Sequence, residues 1–185
     1  MAERVCPWWM GPLLLSPLRR WTIRPERLLA PYVRDGMTVL EPGPGMGFFT
    51  LSLADLVGPH GKVIAVDVQP KMIEALQRRI ERAGREGRVA TRIAGRDSLQ
   101  IADLAGSIDF VLAFAVVHET PSPERFFREI TAVLKPGATL LLVEPSGHVR
   151  KEKFAAELQA AQDAGLAIAA SPVIRRNHAA LLRKA

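Results

Sequence analysis

The sequence has a single cysteine, Cys6, so it can form no disulfide within the chain and no zinc site of the multi-cysteine kind. That usage fits a reducing, cytoplasmic setting. Nothing near Cys6 would activate it as a nucleophile. The chain also has no apolar run approaching the ~20 residues that a membrane span needs. Its greasiest stretch, Val5 to Leu15, is broken by Pro7 and Pro12 and has its arginines behind rather than in front. It therefore reads as mature protein and not as a signal peptide. Internal repeats, low-complexity tracts and an interdomain linker are all missing.

What is present suits a folded domain. Apolar residues make up 48% of the 185 and charged residues 24%, a globular profile with enough chain to bury a core. The formal charge is +6, but the arginines are scattered from Arg19 and Arg20 through Arg78 to Arg176. A nucleic-acid footprint needs a continuous patch, so a solvated basic surface is the reading adopted. Residues 25–185 are expected to form the domain, preceded by segment 1–24.

From Met37 onward, short apolar runs alternate with stretches of helical period. Strands are expected at Thr38 to Leu40, Val63 to Val66, Arg88 to Ala94, Ile108 to Phe114 and Ala138 to Val143. Helices are expected over Phe48 to Leu56, Pro70 to Arg82, from Pro123 to the stop at Lys135-Pro136-Gly137, and Lys151 to Ala164. Ser122 is placed to cap the third of these. Leu166 to Ala170 and Ala179 to Arg183 read as a closing hairpin. Such alternation predicts an α/β fold, a doubly wound and mostly parallel sheet with helices on both faces. Ligands of these sheets bind beyond the carboxyl ends of the strands, which directs attention to Glu41 to Gly47, Asp67, Asp97, His118 and Glu144.

The first of these positions is the most informative. Gly43, Gly45 and Gly47 form G-x-G-x-G between a strand and a helix. The dinucleotide fingerprint G-x-G-x-x-G fails, because Phe48 stands where its third glycine belongs. Glu41 directly before the loop would repel a pyrophosphate, which favours a helix N-terminus without carboxylates. The same carboxylate would attract a cationic ligand such as a sulfonium or an ammonium. Asp67, 20 residues after Gly47, is an acid of the kind that accepts hydrogen bonds from ribose hydroxyls.

With these residues the sequence resembles the class I S-adenosylmethionine-dependent methyltransferases, in particular the small-molecule branch that includes the ubiquinone/menaquinone-biosynthesis type. The resemblance covers about Pro25 to Leu182. The family's E/D-x-G-x-G-x-G motif matches Glu41 to Gly47, and its late L-K-P-G-G-x-L matches Leu134 to Leu140 with Ala138 in place of a glycine. It implies a seven-stranded, Rossmann-like sheet whose last strand is antiparallel. It also implies S-adenosylmethionine as methyl donor and S-adenosylhomocysteine as product. Glu41, Gly43, Pro44, Gly45 and Gly47 would contact the donor, with Asp67 on the ribose and Val68 beside the adenine. Asp97 and Ser98 would meet the adenine edge, and Ala113 and Phe114 come from the fourth strand. No metal is implied.

Alternatives remain open at several of these positions. Glu41 can instead order the loop or cap a helix, and Asp97 can pair with Arg96. Asp109, at the opposite end of its strand, reads as structural. His118 can be a general base, since its pKa lies near neutrality, a pocket wall or a solvated loop residue. Glu119, Glu144 and His148 are the other polar groups expected to face an acceptor. Trp8 and Trp9, with Trp21, can form a packing edge, a lid that excludes water, or a peripheral membrane contact. Transfer by in-line displacement to a small-molecule acceptor is the expected function. A nucleic-acid methyltransferase and a non-catalytic binding partner are the rivals. Against the first, Phe114-Ala115-Val116-Val117-His118 stands where amine-modifying nucleic-acid enzymes carry an Asn/Asp-Pro-Pro-aromatic sequence. The acceptor atom and oligomeric state are not encoded in these motifs.

Overall fold

The structure is a computed structural model that describes residues 23–185. Cys6, Trp8, Trp9, Trp21 and almost all of the expected lid or edge segment 1–24 lie outside the described residues. Among the described residues, seven strands form one sheet in the order β3-β2-β1-β4-β5-β7-β6. The described residues fall into two compact units, one ending at Ala94 and the other Gly95–Ala185.

The first unit opens with a short helix, α1 (Pro25–Leu29), whose Pro25 sits in the first turn, where a missing N–H costs nothing. Strands β1 (Thr38–Pro42), β2 (Lys62–Asp67) and β3 (Val89–Ile93) follow, separated by helices α2 (Thr50–Leu56) and α3 (Pro70–Arg82). The three strands are parallel, with Val39 opposite Val63 and Val63 opposite Val89. Val39, Leu40, Val63 and Ala65 are fully buried. Successive strand residues point to opposite faces, so both faces are covered, as in parallel sheets generally. Helix α3 buries Met72, Ile73, Leu76 and Ile80, the stripe that its 3.6-residue period predicts. Ser52 of α2 donates to Glu26 of α1 over 2.8 Å, tying the two helices together.

Helix α2 starts two residues later than its sequence pattern suggests. Phe49 precedes it without a side-chain cap, and residues 45–49 are spent on the turn that carries the glycines. Phe48 and Phe49 pack edge to face there, their rings 4.9 Å apart.

The second unit contains β4 (Ile108–Phe114), helix α4 (Pro123–Val133), β5 (Leu134–Pro145), helix α5 (Lys151–Asp163), β6 (Leu166–Ala170) and β7 (Asn177–Lys184). Strands β4 and β5 are parallel, and β7 runs antiparallel to both β5 and β6. The closing hairpin and the antiparallel last strand therefore stand as expected. In α4 the Ser122 hydroxyl accepts the Arg125 N–H at 3.2 Å, and Pro123 occupies the first turn. Its stripe Phe126, Phe127, Ile130 and Val133 is buried. Truncating a fully buried aromatic such as Phe127 to alanine costs about 3–5 kcal/mol.

One boundary differs. Lys135-Pro136-Gly137 does end the helix, yet β5 already begins at Leu134, and its register slips between Ile108↔Leu134 and Phe110↔Thr139. The extra residues form a bulge because Pro136 has no N–H for the ladder and Gly137 adopts φ +74°. Asp109 lies beside it, 2.5 Å from the Lys135 ammonium, which agrees with a structural role.

Candidate functional site

In the first unit, β1 delivers Glu41 and β2 delivers Asp67 at neighbouring carboxyl ends. Glu41 is buried, and Thr50, the first residue of α2, donates its hydroxyl to Glu41 Oε2 over 2.6 Å. Burial pushes the Glu41 carboxyl up from 4.5 to about 7. The Thr50 hydrogen bond opposes that rise, and the charge of Asp67 adds to it. Glu41 is thus a buried acid tied to the first residue of α2 through Thr50.

Asp67 is also buried. Its carboxylate accepts the Gln69 N–H at 2.9 Å, and the Gly45 and Val68 N–H groups also favour its ionised form. Desolvation outweighs them, so the net direction of its pKa is upward. The loop itself starts when Gly43 donates to Val66 of β2 over 2.8 Å and turns where Gly47 donates to Pro44 over 2.9 Å. At Gly47 the backbone has φ +83°, and a Cβ would stand 2.4 Å from Leu76 Cδ1. Any other residue would be strained there and would displace the end of Leu76. Gly45 differs: among the described residues a Cβ would meet nothing within 4 Å.

Sequence reasoning missed two members of this site. Arg79, on α3, donates through Nη1 to the carbonyls of Met46 and Gly47, the latter at 3.0 Å. It anchors the loop from a helix more than thirty residues away, as one of several arginines along a helix with no local signal. Thr50 is the other, since its pattern marks it only as part of a helix while its hydroxyl holds Glu41. Val68, 39% exposed, presents an apolar side chain directly after Asp67.

The second unit carries the other candidates. Ala113 and Phe114 end β4 and are buried. Ala115 then turns the chain with φ +57°, an uncommon conformation for a residue with a Cβ, while its N–H donates to Val143 at 2.7 Å. A 3-10 turn, Val117–Glu119, follows. Asp97 is exposed, and Ser98 accepts the Gln100 N–H at 3.1 Å. His118 Nδ1 lies 2.5 Å from Glu144 Oε2, and Glu119 Oε1 lies 3.9 Å from His118 Nε2.

Glu144 requires a correction. Expected to face an acceptor, it is fully buried, with Oε1 accepting the Val117 and His118 N–H groups at 2.8 and 3.3 Å. A carboxylate this deep is retained because it has three hydrogen-bond partners. It supports the turn from beneath. His148 is exposed, its ring 6.3 Å from that of His118, and Lys153 of α5 donates to the His118 carbonyl over 3.2 Å. Burial by itself would lower the His118 pKa. The Glu144 hydrogen bond and charge, with Glu119, outweigh burial and Lys153, and the net direction is above 6.5. Among the described residues, no group of three His, Cys, Asp or Glu side chains is placed to hold a metal ion, and no helix is long and apolar enough to cross a membrane.

Comparison with known proteins bears on the fold and the family. A SAM dependent methyltransferase from Aquifex aeolicus superposes with a TM-score of 0.85 at 25% identity, covering 98% of this chain and 100% of that one. An arsenite methyltransferase of Halobacterium salinarum is 35% identical over 107 residues, which is 58% of this chain and 27% of the relative. A ubiquinone/menaquinone biosynthesis C-methyltransferase of Pasteurella multocida is 31% identical over 112 residues, 60% of this chain and 41% of the relative. The chain thus spans less than half the length of these two curated relatives. The sequence family described as "Methyltransferase domain" matches residues 33–177. The chain belongs to this methyltransferase domain family.

Proposed function

We propose that this chain transfers a methyl group from S-adenosylmethionine to a small-molecule acceptor, releasing S-adenosylhomocysteine. The observation that carries this reading is the pair of buried carboxylates, Glu41 and Asp67, at the glycine loop. Burial, and after it the charge of Asp67, raises the Glu41 pKa to about 7, so negative charge there is costly. A pyrophosphate would add to that charge, whereas a ligand bearing a sulfonium and an ammonium offsets it. Gly45 leaves room for close backbone approach, and Val68 offers an apolar surface next to the acid suited to a ribose. The residues present therefore fit this donor.

When bound, S-adenosylmethionine supplies an electrophilic methyl on a positively charged sulfur. The chain's part is to bind, orient and exclude water, which is sufficient for a favourable in-line transfer. Asp67 would hold the ribose, Glu41 would sit beneath the cationic half, and Asp97 with Ser98 would reach the adenine edge. The arsenite and quinone methyltransferases among its relatives act on small molecules by name, which favours that acceptor class over nucleic acid. The setting is read as cytoplasmic, which the single cysteine fits.

Calorimetry with S-adenosylmethionine, S-adenosylhomocysteine and NAD tests the proposal. The first two are expected to bind and NAD not to, with affinity falling at least tenfold in Asp67→Ala. Preference for NAD would overturn the reading. An unchanged affinity in the variant would remove Asp67 from the site.

A further inference from the structure

The loop after β5 and the loop before β7 lie side by side. Pro145, at the end of β5, stands opposite Asn177 at the start of β7. Ser146 donates its N–H and its hydroxyl to the Arg176 carbonyl, at 3.1 and 3.0 Å. His178 Nε2 lies 3.1 Å from the Val149 carbonyl, and its ring stacks on Phe154 of α5 at 5.3 Å. Residues 146–154 and 171–178 are thereby held together within the second unit.

The surface they form is strongly cationic. It carries Arg150, Lys151, Lys153, Arg175 and Arg176 against one carboxylate, Glu152. Arg150, Lys151, Arg175 and Arg176 are exposed, and none of these four makes an ion pair among the described residues. Arg176 adopts φ +60°, an uncommon conformation for a residue with a Cβ. The two bonds from Ser146 to its carbonyl hold the backbone beneath the arginine pair.

Beside the charge the chain turns apolar. From Ala164 to Ile174 it has no charged residue. Strand β6 exposes Ala167 to Ala170, and Val173, between Pro172 and Ile174, is 100% exposed. A lone exposed valine is ordinary. This one shares a six-residue loop with two unpaired arginines. An apolar tip next to unpaired cations is complementary to an anionic lipid surface, apolar side chain inward and cations on the phosphates.

We propose that the loop between β6 and β7 docks on an anionic phospholipid bilayer, with Val173 at headgroup depth and Arg150, Lys151, Arg175 and Arg176 on lipid phosphates. Two other partners fit less well. A second copy of this chain would set like charges against each other. A nucleic-acid strand stacks its bases on aromatic faces, whereas this surface offers an aliphatic tip and has its phenylalanine stacked on His178. The contact is shallow, because the open edge of β6 needs water for its backbone groups. It depends neither on segment 1–24 nor on the methyl-transfer reading.

Co-sedimentation of the full chain with vesicles tests the proposal. Vesicles of phosphatidylcholine and phosphatidylglycerol in equal parts are expected to bind it, and vesicles of phosphatidylcholine alone are not. Added salt should weaken the binding by screening. Arg175→Gln combined with Arg176→Asn removes two charges, each worth roughly fivefold at an anionic surface, so affinity should fall about tenfold or more. Asparagine tolerates the left-handed backbone at 176, so thermal melting should not change. Val173→Ser removes no buried contact and should lower affinity about threefold.

Failure to bind the anionic vesicles, or equal binding to both vesicle types, would overturn the proposal. So would anionic-vesicle binding indifferent to either loop variant, including binding lost only in Trp8→Ser with Trp9→Ser, which would assign the contact to the N-terminal segment. A single-stranded RNA that binds more tightly than the vesicles and is lost with the arginines would give the surface to nucleic acid. A dimer that dissociates in Val173→Ser would give it to a second copy. Each of these outcomes leaves the methyl-transfer reading standing, since none measures donor binding.

Discussion

The hydroxyl of Thr50 donates to Glu41 over 2.6 Å, joining the last turn-side acid of β1 to the first residue of α2. That bond is the polar partner that keeps Glu41 tolerable in the core, but it does not cancel the desolvation of the carboxylate.

The consequence is a pH dependence of stability with a defined sign. Glu41 has a folded pKa of about 7 against 4.5 when exposed, so between these values the native state binds more protons than the unfolded state. Stability is expected to fall as pH rises from about 4.5 to about 7, by up to about 3 kcal/mol at 1.36 kcal/mol per unit. Denaturant titrations should show this slope in the wild type and lose it in Glu41→Gln, where the amide can still accept from Thr50. Identical slopes in both proteins would refute the assignment.

The same protonation links to donor binding. A cationic ligand beside Glu41 favours its ionised form, so S-adenosylmethionine should release protons when it binds between about pH 6 and 7. Calorimetry in two buffers of different ionisation enthalpy reads the number released. The expected release disappears in Glu41→Gln.

The loop glycines are not equivalent. Gly47→Ala meets Leu76 and requires a left-handed backbone, so it should cost about 1–3 kcal/mol and weaken donor binding. Gly45→Ala meets no atom of the described residues. It should cost about 1 kcal/mol of backbone strain while still obstructing the donor. Thermal melts and affinity measurements on the two variants separate these effects.

Arg79 anchors the loop through two carbonyls. Arg79→Met keeps the aliphatic stem and removes the donors. Hydrogen bonds to a charged group contribute about 1.5–3 kcal/mol, so donor affinity should fall at least tenfold while α3, held by its buried stripe, remains folded by circular dichroism. An unaltered affinity would show that the loop holds its shape without Arg79.

The helix caps offer a check away from the site. Ser122→Ala removes the acceptor for the Arg125 N–H and should destabilise the chain by about 1 kcal/mol, leaving donor affinity unchanged.

Much of the molecule was legible because its signals are local. Apolar periodicity placed the strands and helices, Ser122-Pro123 announced the start of α4, and the glycine spacing with Glu41 and Asp67 announced the loop. Boundaries slipped where backbone chemistry competes with pattern. The turn over residues 45–49 delayed α2, and Pro136 with Gly137 put a bulge into β5.

By itself, the sequence determined the order of elements, the buried stripes and the acids at the ends of β1 and β2. Each depends on the period of a helix or strand and on residues a few positions apart. Tertiary structure alone decided that Glu144 lies under His118 and not in front of an acceptor, 26 residues away along the chain. It alone brought Arg79 to the carbonyls of a loop 32 and 33 residues earlier. It also raised the pKa of Glu41, because burial and the nearness of Asp67 are properties of packed neighbours. Hydrogen bonds and desolvation act over a few ångströms in space, and separation along the chain carries no record of them.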